Sequence, residues 1–136
     1  MSSVNILTHD DRVPSVKNGV QTLQLVITAD STNGSVDDTA IDAELYGIRN
    51  WFLYSVETVP GPTNPTDAYD VTIKDSDGLD IANAQLANRS EDTTQLVNIG
   101  AGDFGYPIVR GDLTVVISNN IVASAKITMI MKFVKR

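Results

Sequence analysis

The chain has 136 residues, a single histidine, no cysteine and a formal net charge of −7. That length fits one domain with one ordinary core, and without cysteine neither disulfides nor thiolate metal sites are available to staple it. The acid surplus repels nucleic acid, no apolar run approaches the roughly 20 residues that cross a bilayer as a helix, and the Met1 to Asn5 start has neither the basic nor the apolar region of a secretory signal.

In chain order, residues 1–19 carry no sustained periodicity, and Asp10, Asp11, Pro14, Asn18 and Gly19 punctuate them as an extended arm. Residues 20–136 then alternate apolar and polar side chains in short runs. Gln21 to Thr28 puts Gln21, Leu23, Leu25 and Ile27 on its core face. Asn33-Gly34 marks a turn, and Thr39 to Tyr46 reads as a second strand. Trp51 to Thr58 follows, with Trp51 and Leu53 on one face and Phe52, Tyr54 and Val56 on the other. Pro60, Pro62 and Pro65 then force a surface connection.

Tyr69 to Lys74 is the next strand, turned by Asp75-Ser76-Asp77-Gly78 so that Leu79 to Ile81 pairs back. Ala82 to Ala87 favours helix but is too short to exceed one turn. Thr93 to Val97, Pro107 to Val109, and a hairpin of Leu113 to Ser118 and Ser124 to Val134 about Asn119-Asn120 complete the set. About eight or nine short strands with frequent turns, and no helical pattern to carry parallel crossovers, predict an all-β antiparallel β-sandwich of jelly-roll or immunoglobulin-like type.

No motif in these residues specifies catalysis or a cofactor. Gly100-Ala101-Gly102-Asp103-Phe104-Gly105 has the letters of a dinucleotide fingerprint, but Tyr106-Pro107 follows where a helix must begin, so an inter-strand loop is expected. Asp75, Asp77 and Asp80 resemble part of a calcium loop, yet Gly78 comes too early, and a hairpin corner is the better reading, with a weak structural cation as the residual. Asp70 with Asp77, or Glu57 with Asp67, could be nominated as a hydrolytic carboxylate pair, but no spacing favours either. His9 has no serine elbow to serve, and Asn33 and Asn88 match glycosylation acceptors only in letters. The expectation is a protein that is not an enzyme and takes no cofactor, metal or small-molecule substrate.

Surface character is more informative. Between Asp30 and Asp80 only Arg49 and Lys74 oppose a dense set of acids, whereas from Phe104 onward Arg110, Lys126, Lys132, Lys135 and Arg136 face Asp112 alone. Such a chain can dock its basic end on an acidic neighbour. Ile127, Met129, Met131 and Phe133 line one face of the last strand while Ile130 and Val134 add apolar surface to the other, so the strand is either covered on both sides or meets another subunit. Trp51, Tyr54, Ile130, Lys132, Val134, Lys135 and Arg136 are therefore the candidate contact residues.

The run Tyr69-Asp70-Val71-Thr72-Ile73-Lys74-Asp75-Ser76-Asp77-Gly78-Leu79-Asp80, followed by Asn88-Arg89, resembles small β-rich structural proteins of tailed-bacteriophage virions, as do the Trp51 to Pro62 stretch and the Leu113 to Phe133 region. The resemblance spans about the last two thirds of the chain. It implies a virion component assembled in the host cytoplasm, above all a capsid decoration or cement protein that binds the major capsid protein lattice without covalent chemistry, itself a homo-oligomer. A neck, tail or baseplate component is the alternative within that class. A carbohydrate-binding sandwich stacking sugars on Trp51, Tyr54 or Tyr106 is the alternative outside it.

Overall fold

The computed structural model describes residues 1–8, 19–100 and 105–135. Within them the chain is all-β, with strands β1 (Ser3–Thr8), β2 (Val20–Thr28), β3 (Thr39–Ile41), β4 (Phe52–Pro60), β5 (Asp70–Lys74), β6 (Gln95–Asn98), β7 (Leu113–Ser118) and β8 (Lys126–Val134). They form two antiparallel sheets, one in the order β1-β2-β8-β4-β6 and one in the order β3-β7-β5. From β2 to β8 the chain changes sheet at every step, so among the described residues β1 and β2 are the only consecutive strands that pair.

The alternation read from the sequence is what joins the sheets. Leu23, Leu25 and Ile27 of β2 sit directly opposite Met131, Met129 and Ile127 of β8, and all six are buried with Leu53, Val56 and Phe133. Facing them are Ile41, Val71, Ile73, Leu113, Val115 and Ile117 of the smaller sheet, in one continuous core. Each such side chain removed from water contributes about 1.5–3 kcal/mol, so this seam is the main source of stability of the β-sandwich.

Several local expectations are corrected. Residues 3–8, placed in an arm by their weak pattern, are the edge strand of the larger sheet, with Val4 and Ile6 packed against the core margin. Leu113 to Ser118 and Ser124 to Val134 are not a hairpin: β7 pairs with β3 and β5, β8 with β2 and β4, and the segment between them arches from one sheet to the other. Asn119 and Ser124, both left-handed with φ of 65° and 57°, bracket that arch. β3 stops at Ile41 because Asp42 accepts the N–H groups of Glu44 and Leu45 and Asp112 takes that of Ala43, turning the chain and leaving Leu45 exposed.

A bulge between Leu53 and Ser55 inserts one residue into β4. The phase of the strand therefore shifts, and Val56 joins Leu53 in the core instead of following Phe52 and Tyr54 outward. Pro60 is the last residue of β4, beyond the point at which β6 pairs, so no ladder bond is lost there. Leu79 to Ile81 makes only a single bridge, Lys74 to Asp80, in place of a return strand. Likewise Pro107 to Val109 contributes an isolated bridge from Ile108 to Phe52, extended by bonds from Leu53 N–H to Pro107 and from Val109 N–H to Trp51.

Candidate interaction face

β8 occupies the middle of the five-stranded sheet, so its outward residues form the centre of that sheet's outer face. The register places Leu7, Gln24, Ile130, Glu57 and Leu96 in one row across all five strands, each opposite the next. A parallel row runs Val20, Val134, Phe52, and between the two lies Lys132, opposite Thr22 on β2 and Ser55 on β4. Ile130 and Val134 are half-buried by these neighbours, Lys132 is exposed, and the ends of the long row stand out, with Leu7 43% and Leu96 62% accessible. Alternation gave this grouping of Ile130, Lys132 and Val134 from the sequence; the rows on β1 and β6 needed the pairing order.

The other sequence candidates separate. Trp51 is 7% accessible and belongs to the core, so it offers no surface anchor. Tyr54 is 37% accessible on the outer side of the β4 bulge, and its ring meets that of Tyr106 at 5.0 Å between centroids and 31° between planes. Partial burial and the neighbouring Tyr54 phenol raise the pKa of Tyr106. The Tyr106 ring lies over Gly100, where a Cβ would come within 2.6 Å of its Cε1 atom, so the glycine is a seat for the ring. Lys135 is exposed, with its N–H bonded to the Gly19 carbonyl at 2.8 Å. Arg136 and His9 lie outside the described residues.

The acidic clusters are used by the backbone. Asp75 Oδ1 accepts the N–H groups of Asp77 and Leu79 at 2.9 and 3.0 Å, and Asp80 accepts those of Ile73, Ala82 and Ala84. These bonds close the 75–79 turn and seal the outer edge of β5. Both carboxylates border a cleft of about 760 Å³ with Leu79, Ile81, Ile108 and Arg110, but among the described residues no group of three acids or histidines is placed to hold a metal ion. Of the carboxylates nominated for hydrolysis, Asp70 is bonded to the Asn88 N–H and the Asn119 amide, Asp67 accepts the Glu91 N–H at 3.4 Å, and Glu57 lies on the outer sheet face. The glycine-rich stretch is described only at Gly100 and Gly105, and an extended segment follows it.

Two groups titrate away from their ordinary range for structural reasons. The Met1 ammonium, then the N–H groups of Thr32 and Asn33, hold Asp30 at about 2. Burial pushes the Tyr69 phenol up, opposed by the nearby Thr58 hydroxyl and Arg89 guanidinium; its hydroxyl has no partner in hydrogen-bond geometry. No helix among the described residues is long and apolar enough to cross a membrane. No family model, curated protein or solved structure matches the chain.

Proposed function

We propose that this protein is a structural component of a phage virion, acting as a decoration or cement protein on the lattice of the major capsid protein. The observation that carries the reading is the outer face of the five-stranded sheet: a row of Leu7, Gln24, Ile130, Glu57 and Leu96, with Lys132 beside it. Such a surface mixes apolar and polar groups as non-obligate interfaces do, and Lys132 and Glu57 give it one charge of each sign with which to set the register of a partner. Binding to an assembled lattice stabilises it by mass action, with no bond made or broken.

Quantitative mass spectrometry of purified virions carrying this chain is the test. On the order of hundreds of copies per particle is the expected result, since decoration follows the symmetry of the shell. A stoichiometry of about a dozen moves the assignment to neck, tail or baseplate, and absence from the particle overturns the reading.

The Tyr54–Tyr106 pair supports a second reading, a carbohydrate-binding sandwich, because two neighbouring, partly accessible rings can stack a sugar. Glycan-array binding by the purified chain that disappears in Tyr54→Ala would favour it over the cement role.

A further inference from the structure

β1 is an edge strand of six residues, Ser-Val-Asn-Ile-Leu-Thr, with no charge, no proline and no bulge. Edge strands that must stay single are kept short, charged, kinked or covered, because their outward N–H and C=O groups template another strand. The other edges of this sandwich are shorter or sealed, and β6 has only four residues. β3 has three residues. β5 is sealed by Asp80, by Ile81 N–H on the Ile73 carbonyl, by Val71 N–H on Leu86 and by Arg89 N–H on Tyr69. Among the described residues β1 has backbone bonds to β2 alone.

Its placement is also fixed. The Ser2 hydroxyl accepts the Asp37 N–H at 2.8 Å and the Met1 ammonium meets Asp30, so the strand enters the sheet tied down at its start. On the inner side Val4 and Ile6 pack on the core margin yet stay half-exposed, because five strands overhang three.

We infer that β1 pairs antiparallel with β1 of a second copy, about a two-fold axis through Asn5, joining two five-stranded sheets into one. In an antiparallel ladder, opposite residues share a face. The axis at Asn5 therefore sets Val4 against Ile6 of the second copy, and Ile6 against its Val4, so both half-exposed apolar residues gain an apolar neighbour. Ser3 meets Leu7 on the outer side in the same way. The choice of a second copy rests on this self-complementarity and on charge: the body carries −7 in total, and an uncharged strand is where two such bodies meet without opposing acids. The inference is independent of any role on a virion.

Because the chain lacks cysteine, cross-linking tests the register directly. Opposite Cα atoms in an antiparallel pair lie about 4.5–5.5 Å apart, within disulfide range, so Asn5→Cys is expected to oxidise to a covalent dimer. Ser3→Cys places its two sulfurs four residues apart along the ladder, roughly 13 Å, and is expected to stay uncross-linked alone but to cross-link when mixed with Leu7→Cys. Analytical ultracentrifugation should show the unmodified chain at twice its monomer mass. Asn5→Lys, exposed and directly opposed to itself, should weaken that dimer by up to about fivefold with an unchanged far-ultraviolet spectrum. A monomer at every concentration, or Asn5→Cys cross-linking no faster than Ser3→Cys, would overturn the inference.

Discussion

The side-chain amide of Asn120 donates to the Gly34 carbonyl at 2.6 Å, across 86 positions of sequence. The same side chain accepts the Thr66 N–H at 2.8 Å, so one asparagine, 8% accessible, bolts together three loops at one end of the sandwich. Gly34 is tightly enclosed in turn: its φ is +77°, and a Cβ there would lie 2.5 Å from the Ile121 carbonyl carbon.

Asn120→Ala removes the partner of the Gly34 carbonyl and of the Thr66 N–H at a buried position. A loss of about 2–4 kcal/mol is expected, read as a lower urea midpoint at unchanged slope. A loss below that of an ordinary surface substitution would mean that the arch is held by other contacts.

Tyr69→Phe should behave differently from removal of a bonded hydroxyl. Since the phenol is buried beside the Thr58 hydroxyl but in no hydrogen bond of normal geometry, its deletion is expected to change stability by less than about 1 kcal/mol. The pH dependence follows from the raised pKa. Above the ordinary value of 10.0 the unfolded chain sheds a proton that folded Tyr69 retains, so stability present below that value is lost as pH rises towards the folded pKa. Urea midpoints compared at about pH 8 and about pH 11 should fall less steeply in Tyr69→Phe, with Tyr106 supplying the remaining fall of the same sign.

Gly100→Ala should dislodge the Tyr106 ring, which occupies the space that a methyl group needs. The expected signature is a change in near-ultraviolet circular dichroism from the Tyr54–Tyr106 pair with the strand spectrum retained. An unaltered aromatic signal would show that the ring does not depend on that seat.

Asp80→Ala removes the acceptor for three backbone N–H groups, at 3.2, 3.1 and 2.8 Å. A cost of about 1–3 kcal/mol is expected, with Asp80→Asn recovering part of it because an amide oxygen still accepts. Hydrogen exchange at Ile73 and Ala84 should speed up first. Protection unchanged at both would rule out the carboxylate as the lock on the β5 edge.

How far the fold could be read from sequence depended on what a two-residue period encodes. It encodes which side of a strand is apolar, and so Leu23, Leu25, Ile27, Met129, Met131 and Phe133 were recognisable as core. It does not encode which sheet a strand joins. Leu113 to Ser118 and Ser124 to Val134 flank Asn119-Asn120 as hairpin strands would, yet they belong to different sheets. Nor does it survive an inserted residue, and the bulge at Tyr54 turned Val56 inward against its apparent phase. For the outer face, Ile130, Lys132 and Val134 were legible as a group, whereas Leu7 and Leu96 reached it only through long-range pairing. Trp51 looked like an anchor because an aromatic residue at a strand end carries no mark of which way it faces.

The shuttling of the chain between its two layers has a bearing on biosynthesis. The strand that completes the middle of the larger sheet is 126–134, and until it has been synthesised β2 and β4 have no shared neighbour. Most pairings then wait on loop closure over long stretches, which makes assembly slow and all-or-none. A nascent polypeptide of this design emerges with apolar ribbons that find their places together only once residues 126–134 are available, and deleting those residues should leave an aggregate in place of a smaller folded body.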